Sequence, residues 1–122
     1  MVYSISKKIE ISAAHALSLS YESKCSNLHG HNWQIEIFLV SRELNADDMV
    51  ADFSHIKKTI KGKMDHANLN EIFDFNPTAE NIGRWIVDLF PQCYKAIVVE
   101  SFGNTAMVVD EQKIKGIEGL VM

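Results

Sequence analysis

An α+β fold follows from the way apolar residues recur along this chain: one four-stranded antiparallel sheet with two helices on one face, in the order ββααββ. Three observations predict it. Two stretches near the N-terminus alternate apolar and polar residues with the period of two of a half-buried strand, two later stretches repeat apolar residues at helical spacing, and two short apolar runs near the end flank a turn. With 122 residues, 47% of them hydrophobic, the chain reads as one domain, residues 1–122, that can bury a sizeable core.

The first strand covers residues 3–15. Ile5, Ile9, Ile11 and Ala13 share one parity with His15, while Ser6, Lys8, Glu10 and Ser12 share the other. A polar loop without periodicity, residues 16–27, follows and carries Cys25. The second strand, about Trp33–Ser41, is entered through His29-Gly30-His31-Asn32, and the parity of Trp33, Ile35, Ile37 and Leu39 includes both histidines. Two imidazoles therefore point to one side. Such a pair is either a metal site or a buried, hydrogen-bonded pair, and a third donor decides between them. Antiparallel pairing supplies one, because the end of the first strand then lies beside the start of the second and brings His15 to His29 and His31.

A polar turn (Arg42–Asp48) leads to the first helix. Asp52 is its N-cap, and Phe53, Ile56, Ile60 and Met64 form its buried stripe, with His55 off the stripe and solvated. Residues 65–77 are too polar and broken for a long element. Within them, Asp65-His66 is of interest because a carboxylate can fix an imidazole's tautomer, although an isolated dipeptide of this kind more often lies on a surface. The second helix starts at Thr78 after Pro77, carries Glu80 in its first turn, buries Ile82, Trp85, Ile86, Leu89 and Phe90, and stops at Pro91. Capping alone accounts for Thr78 and Glu80. The runs Ala96–Val99 and Ala106–Val109 form a hairpin with Gly103-Asn104 at the turn. Glu100 stands at the end of a run that reads as fully buried, so it either meets a ligand with paired N–H groups or sits at a solvated strand end. Residues 110–122 carry no clear signal.

Charge and cysteine usage narrow the function. A net charge of −4 with scattered lysines argues against binding nucleic acid or an anionic membrane. No run is apolar enough to cross a bilayer and the N-terminus lacks a signal peptide's features, so a cytoplasmic protein is expected. The two cysteines read as reduced thiols. Cys25, in a polar loop ahead of the histidines, is the functional candidate, since a cationic neighbour or a bound metal favours a thiolate, and Cys93 is structural.

Several motifs, singly weak, occur together and in order: Ala13-Ala14-His15, Cys25 ahead of His29-Gly30-His31-Asn32, Met49-Val50-Ala51-Asp52-Phe53, Asp65-His66 followed by Asn68-Leu69, Pro77-Thr78-Ala79-Glu80-Asn81, and Val99-Glu100. On these the chain resembles the 6-pyruvoyl-tetrahydropterin synthase and 6-carboxy-tetrahydropterin synthase family, of the tunnelling fold, over about residues 3–110. The resemblance implies a catalytic zinc (Zn2+) held by His15, His29 and His31. It also implies a triad of Cys25, Asp65 and His66 assembled across a subunit interface, a pterin-anchoring Glu100, and Thr78 and Glu80 near the same pocket. Three neutral imidazoles would leave zinc one free position for a substrate's hydroxyls. The implied substrate is a small-molecule pterin triphosphate, 7,8-dihydroneopterin triphosphate. The implied assembly is a homo-oligomer, a trimer or a hexamer made as a dimer of trimers, which would bury the sheet's edges.

Three residues between Cys25 and His29, with Leu28 before the histidine, look like the 6-carboxy members, which make 6-carboxy-5,6,7,8-tetrahydropterin and acetaldehyde on the way to queuosine and other deazapurines. The pyruvoyl members usually place more residues there, with a glycine where Leu28 stands. Ala16 replaces an arginine common in relatives, and Ser101 and Phe102 replace a threonine. A pyruvoyl-type or folate-branch pterin enzyme is one alternative reading. A more distant one is a non-catalytic zinc-binding module, with Cys25 as a fourth, closing ligand.

Overall fold

The computed structural model describes all residues from Met1 to Met122. Its elements are β1 (Tyr3–His15), β2 (His29–Ser41), α1 (Phe53–Met64), β3 (Ala67–Asn68), α2 (Leu69–Ile72), α3 (Ala79–Leu89), β4 (Cys93–Ser101), β5 (Asn104–Val109) and α4 (Glu118–Val121). No helix is long and apolar enough to cross a membrane.

Strands β1 and β2 form an antiparallel ladder of thirteen residues, unbroken from Tyr3↔Ser41 to His15↔His29. The strand order is β3-β1-β2-β4-β5, and β3 lies parallel to β1 through Ala13↔Ala67 and Ala14↔Asn68. The sheet is therefore five-stranded and mixed where four antiparallel strands were expected. The added strand is two residues long, too short to leave a periodic trace. Strand β2 also begins four residues ahead of the expected Trp33, because the histidine pair itself extends the ladder opposite Ala13–His15.

Alternation decides which face meets the helices. Ile9, Ile11, Ala13, Trp33, Ile35, Ile37, Leu39, Ala96 and Val98 are buried on one side and join Ile56, Ile60, Met64, Ile82, Ile86 and Val87 from α1 and α3 in a single core. Burying each isoleucine, leucine, valine or methionine of this set stabilises by about 1.5–3 kcal/mol. Both helices start as predicted: Asp52 accepts a hydrogen bond from the Ser54 N–H at 2.8 Å, and Thr78 from the Asn81 N–H at 3.1 Å. His55 is exposed, as its place off the stripe predicted.

The last hairpin differs from expectation in two ways. Ser101 pairs with Asn104, so the turn residues are Phe102 and Gly103, one position earlier than expected, with Gly103 at φ +85° where a side chain would be strained. The run before Glu100 is also only half-buried: Ala96 and Val98 are covered, whereas Ile97 and Val99 face the open side of the sheet. The tail, unread in the sequence, is ordered. Ile114 is buried with Val40 and Tyr94 in a second, smaller core, and the Lys113 ammonium donates to the carbonyls of Val87, Phe90 and Cys93 at 2.7, 3.1 and 2.8 Å, which closes the C-terminal end of α3.

Candidate functional site

The three histidines converge at one end of the β1–β2 ladder. His15 lies directly opposite His29, and His31 lies opposite Ala13, one pleat further along and on the same face. Ring centroids are 4.6, 5.2 and 4.8 Å apart, and one nitrogen from each ring lies within 4.8 Å of the others. Trp33 forms the floor, with its ring 4.9 and 5.5 Å from His15 and His31 and its indole N–H donating to the Ala13 carbonyl at 3.2 Å.

Backbone carbonyls set the tautomers. His15 Nδ1 is 2.8 Å from the Pro77 oxygen and His29 Nδ1 is 2.7 Å from the Asn27 oxygen; a carbonyl can only accept, so both Nδ1 atoms carry the proton and both Nε2 atoms keep a lone pair. Burial holds His15 below its ordinary pKa of 6.5, an effect opposed by the Pro77 carbonyl and the Glu100 carboxylate and reinforced by the two other histidines. The Nε2 atoms of His15 and His31 are buried without a hydrogen-bond partner. Two orphaned buried nitrogens, joined by a nitrogen of His29 in the same cluster, fit a divalent metal that takes imidazole donors. Cys25 is not part of this donor cluster.

Glu100 lies at the mouth of the cluster. Its carboxylate oxygens are 3.4 Å from His31 Nε2 and 3.8 Å from His15 Nε2, and its side chain is 21% exposed. Alternation with Ala96 and Val98 puts it on the face of the histidines, and a β-bulge, at which the pairing moves from Val99↔Thr105 to Ser101↔Asn104, leaves it unpaired with β5. It also lines a cavity of about 510 Å³ together with Glu80 and the turn at Gly103–Thr105. Thr78 does not line that cavity; its hydroxyl is occupied as the cap of α3.

Asp65 and His66 dock on β1 from outside. The Ser12 N–H donates to Asp65 Oδ1 at 3.0 Å, and the His66 N–H donates to the Ser12 carbonyl at 2.6 Å. The Ser12 hydrogen bond holds the Asp65 carboxyl below its ordinary pKa of 3.8, against the opposing effect of burial and with lesser help from His66 and Lys61. Asp65 Oδ2 is 3.6 Å from His66 Nε2, so the two side chains do approach each other. His66 has φ +59°, an uncommon conformation outside glycine, and its side chain is 83% exposed. It shares an open cleft of about 450 Å³ with Ser12, Ala14, Gly30 and Asn32, and with Ala13 and His31 of the opposite parity. Cys25, half-buried, sits in a single 3₁₀ turn, Lys24–Ser26, capped by Ser23. Its thiol makes no hydrogen bond to Asp65 or His66 of the same chain. The buried Cys93 donates to the Lys95 carbonyl at 3.6 Å, and burial pushes its thiol pKa up, consistent with a structural role.

Sequence reasoning missed the residues that orient the site: the carbonyls of Pro77 and Asn27, and Ser12, which fixes Asp65. None has a local signal, because each acts through its backbone.

The profile of the family described as 6-pyruvoyl tetrahydropterin synthase matches residues 4–112. The chain belongs to this family. Among curated relatives, the 6-carboxy-5,6,7,8-tetrahydropterin synthase of Bacillus subtilis is 32% identical over 134 residues, covering 96% of this chain and 90% of that one. The dihydroneopterin monophosphate aldolase of Pyrococcus furiosus is 42% identical over 77 residues, covering 61% and 62%. The solved structure of the 6-pyruvoyl tetrahydropterin synthase of Caenorhabditis elegans superposes with a TM-score of 0.72 over 90% of this chain and 96% of that one, at 24% identity. The α+β fold and the family resemblance read from the motifs are thus both upheld.

Proposed function

We propose that the chain is a 6-carboxy-5,6,7,8-tetrahydropterin synthase, a zinc-dependent carbon–carbon lyase. It converts 7,8-dihydroneopterin triphosphate to 6-carboxy-5,6,7,8-tetrahydropterin with release of acetaldehyde and triphosphate, a step toward queuosine. The observation that carries this reading is the trio of imidazoles with metal-ready Nε2 atoms beside Glu100, in a chain aligned almost end to end with the Bacillus subtilis synthase.

Zinc held by His15, His29 and His31 would supply Lewis acidity toward the hydroxyls of the substrate's side chain. The protein's own groups do the rest. His15 and His29 are oriented through their bonds to Pro77 and Asn27. Glu100 accepts a pterin ring N–H and the exocyclic amino group in two parallel hydrogen bonds, and so aims the side chain at the histidines. Cys25, as the thiolate, moves the proton at the side-chain carbon. Asp65, kept ionised by Ser12, orients His66 for the complementary acid–base step, with the pair supplied by a neighbouring chain of a homo-oligomer. Glu80 shares the cavity wall and Thr78 supports it as a helix cap.

The test is product analysis after mixing zinc-loaded protein with dihydroneopterin triphosphate. Equal amounts of acetaldehyde and the 6-carboxy product are expected, and a pterin product without acetaldehyde would sink the assignment. The aldolase relative favours a second reading, a folate-branch enzyme; that reading predicts cleavage of a phosphorylated dihydroneopterin with no acetaldehyde among the products.

A further inference from the structure

The backbone between the end of β1 and the turn that carries Cys25 has no strand beside it, yet it is paired as if it had. The Ala16 N–H donates to Asn70 Oδ1 at 2.7 Å, and Asn70 Nδ2 donates back to the Ala16 carbonyl at 2.8 Å. Two residues on, the Ser18 N–H donates to Asn76 Oδ1 and Asn76 Nδ2 returns the bond to the Ser18 carbonyl, both at 2.9 Å. A carboxamide carries donor and acceptor side by side, as a peptide group does, so each asparagine replaces one rung of a ladder. The residue between them faces the other way: the Leu17 N–H donates to the Cys25 carbonyl at 2.7 Å. This is the one backbone hydrogen bond that ties the turn to residues outside 23–27.

The two asparagines are themselves fixed. The Asn70 N–H is bound by Asn68 Oδ1 at 3.1 Å, and the Asn76 carbonyl accepts from the Thr78 N–H at 2.8 Å and from Asn81 Nδ2 at 2.9 Å at the start of α3. The neighbouring Pro77 carbonyl orients His15. One short segment, residues 70–77, thus grips a metal-site histidine and, through residues 16–18, the cysteine turn.

We propose that Asn70 and Asn76 are positioning residues for turnover, acting as a side-chain substitute for a strand that holds residues 16–18 and thereby sets the Cys25 thiol relative to the histidine cluster. This rests on the proposed proton-moving role of Cys25. Displacing a reacting group by about 1 Å can lower a rate by about a hundredfold, while substrate binding at Glu100 is left alone.

The test uses zinc-loaded full-length chain carrying either Asn70→Ala with Asn76→Ala, or Asn70→Asp with Asn76→Asp; the second pair keeps the acceptors but sets carboxylates against the Ala16 and Ser18 carbonyls. Steady-state kinetics, bound metal and the rate of iodoacetamide alkylation at Cys25 are read, with buried Cys93 as the unreactive internal control. In both variants kcat should fall about tenfold or more with KM within about twofold of wild type, metal should be retained, and alkylation should rise at least about threefold. Unchanged kcat, unchanged alkylation, or loss of metal in proportion to kcat overturns the proposal. If Cys25→Ser turns over normally, the catalytic reading of Cys25 fails instead; the alkylation rate still reports, independently, whether the asparagines place the thiol.

Discussion

Each histidine of the cluster contributes by what its second nitrogen does. The carbonyls at His15 and His29 leave the Nε2 atoms free to hold a metal, so under the proposed function replacing any of His15, His29 or His31 by alanine should lower bound metal at least about tenfold, measured by elemental analysis of the dialysed protein. Cys25→Ala should retain the metal and lose turnover. Glu100→Gln removes the charge but keeps the shape; a hydrogen bond to a charged group contributes about 1.5–3 kcal/mol, which predicts a KM increase of about tenfold or more with metal unchanged. Asp65 gives a pH signature. Its carboxyl is more acidic when folded than its ordinary value of 3.8, because the Ser12 N–H bonds the ionised form. Protons therefore bind more readily to the unfolded chain, so the stability contributed by Asp65 is complete above 3.8 and disappears as pH falls through the lower, folded value. The urea midpoint of Asp65→Asn should lie below wild type at neutral pH, and the gap should close below 3.8; a gap independent of pH would contradict this account.

Helix α3 meets the sheet through Gly83, where an added Cβ would lie 2.7 Å from a methyl of Val108 and 3.5 Å from one of Val98. Alanine is the better helix former by about 1 kcal/mol. Overpacking against two β-branched side chains opposes this by about 1–3 kcal/mol, so Gly83→Ala should lower the thermal midpoint even though the helix itself gains propensity. The sequence reveals strands and helices of this kind because backbone geometry imposes their periods. His15, His29 and His31 could be gathered from parity and antiparallel pairing alone, and Asp52 and Thr78 announce their helices. The hairpin turn was misplaced by one residue because the bulge at Glu100 shifts the register, and a bulge has no composition of its own. Asn70 and Asn76 went unread for a related reason: their partners are backbone groups more than fifty residues away.

At the scale of the molecule, the tail shows what local pattern cannot. Ile114 is a lone apolar residue among polar neighbours, and only the packed structure reveals that it fills the space beside Val40 and Tyr94 while Lys113 gathers three carbonyls. Lys113→Met should leave those carbonyls short of donors and destabilise the fold by about 1–3 kcal/mol in denaturant titration, without altering bound metal.

The Cys25 thiol makes no hydrogen bond to Asp65 or His66 of its own chain, so a single polypeptide under the proposed mechanism is split against itself. Such a division of labour makes defects complementary. Two dead proteins, Cys25→Ala and His66→Ala, unfolded together and allowed to reassemble, would regain activity in roughly a quarter of their sites, because random cyclic assembly seats an intact sulfur beside a neighbour's intact imidazole that often.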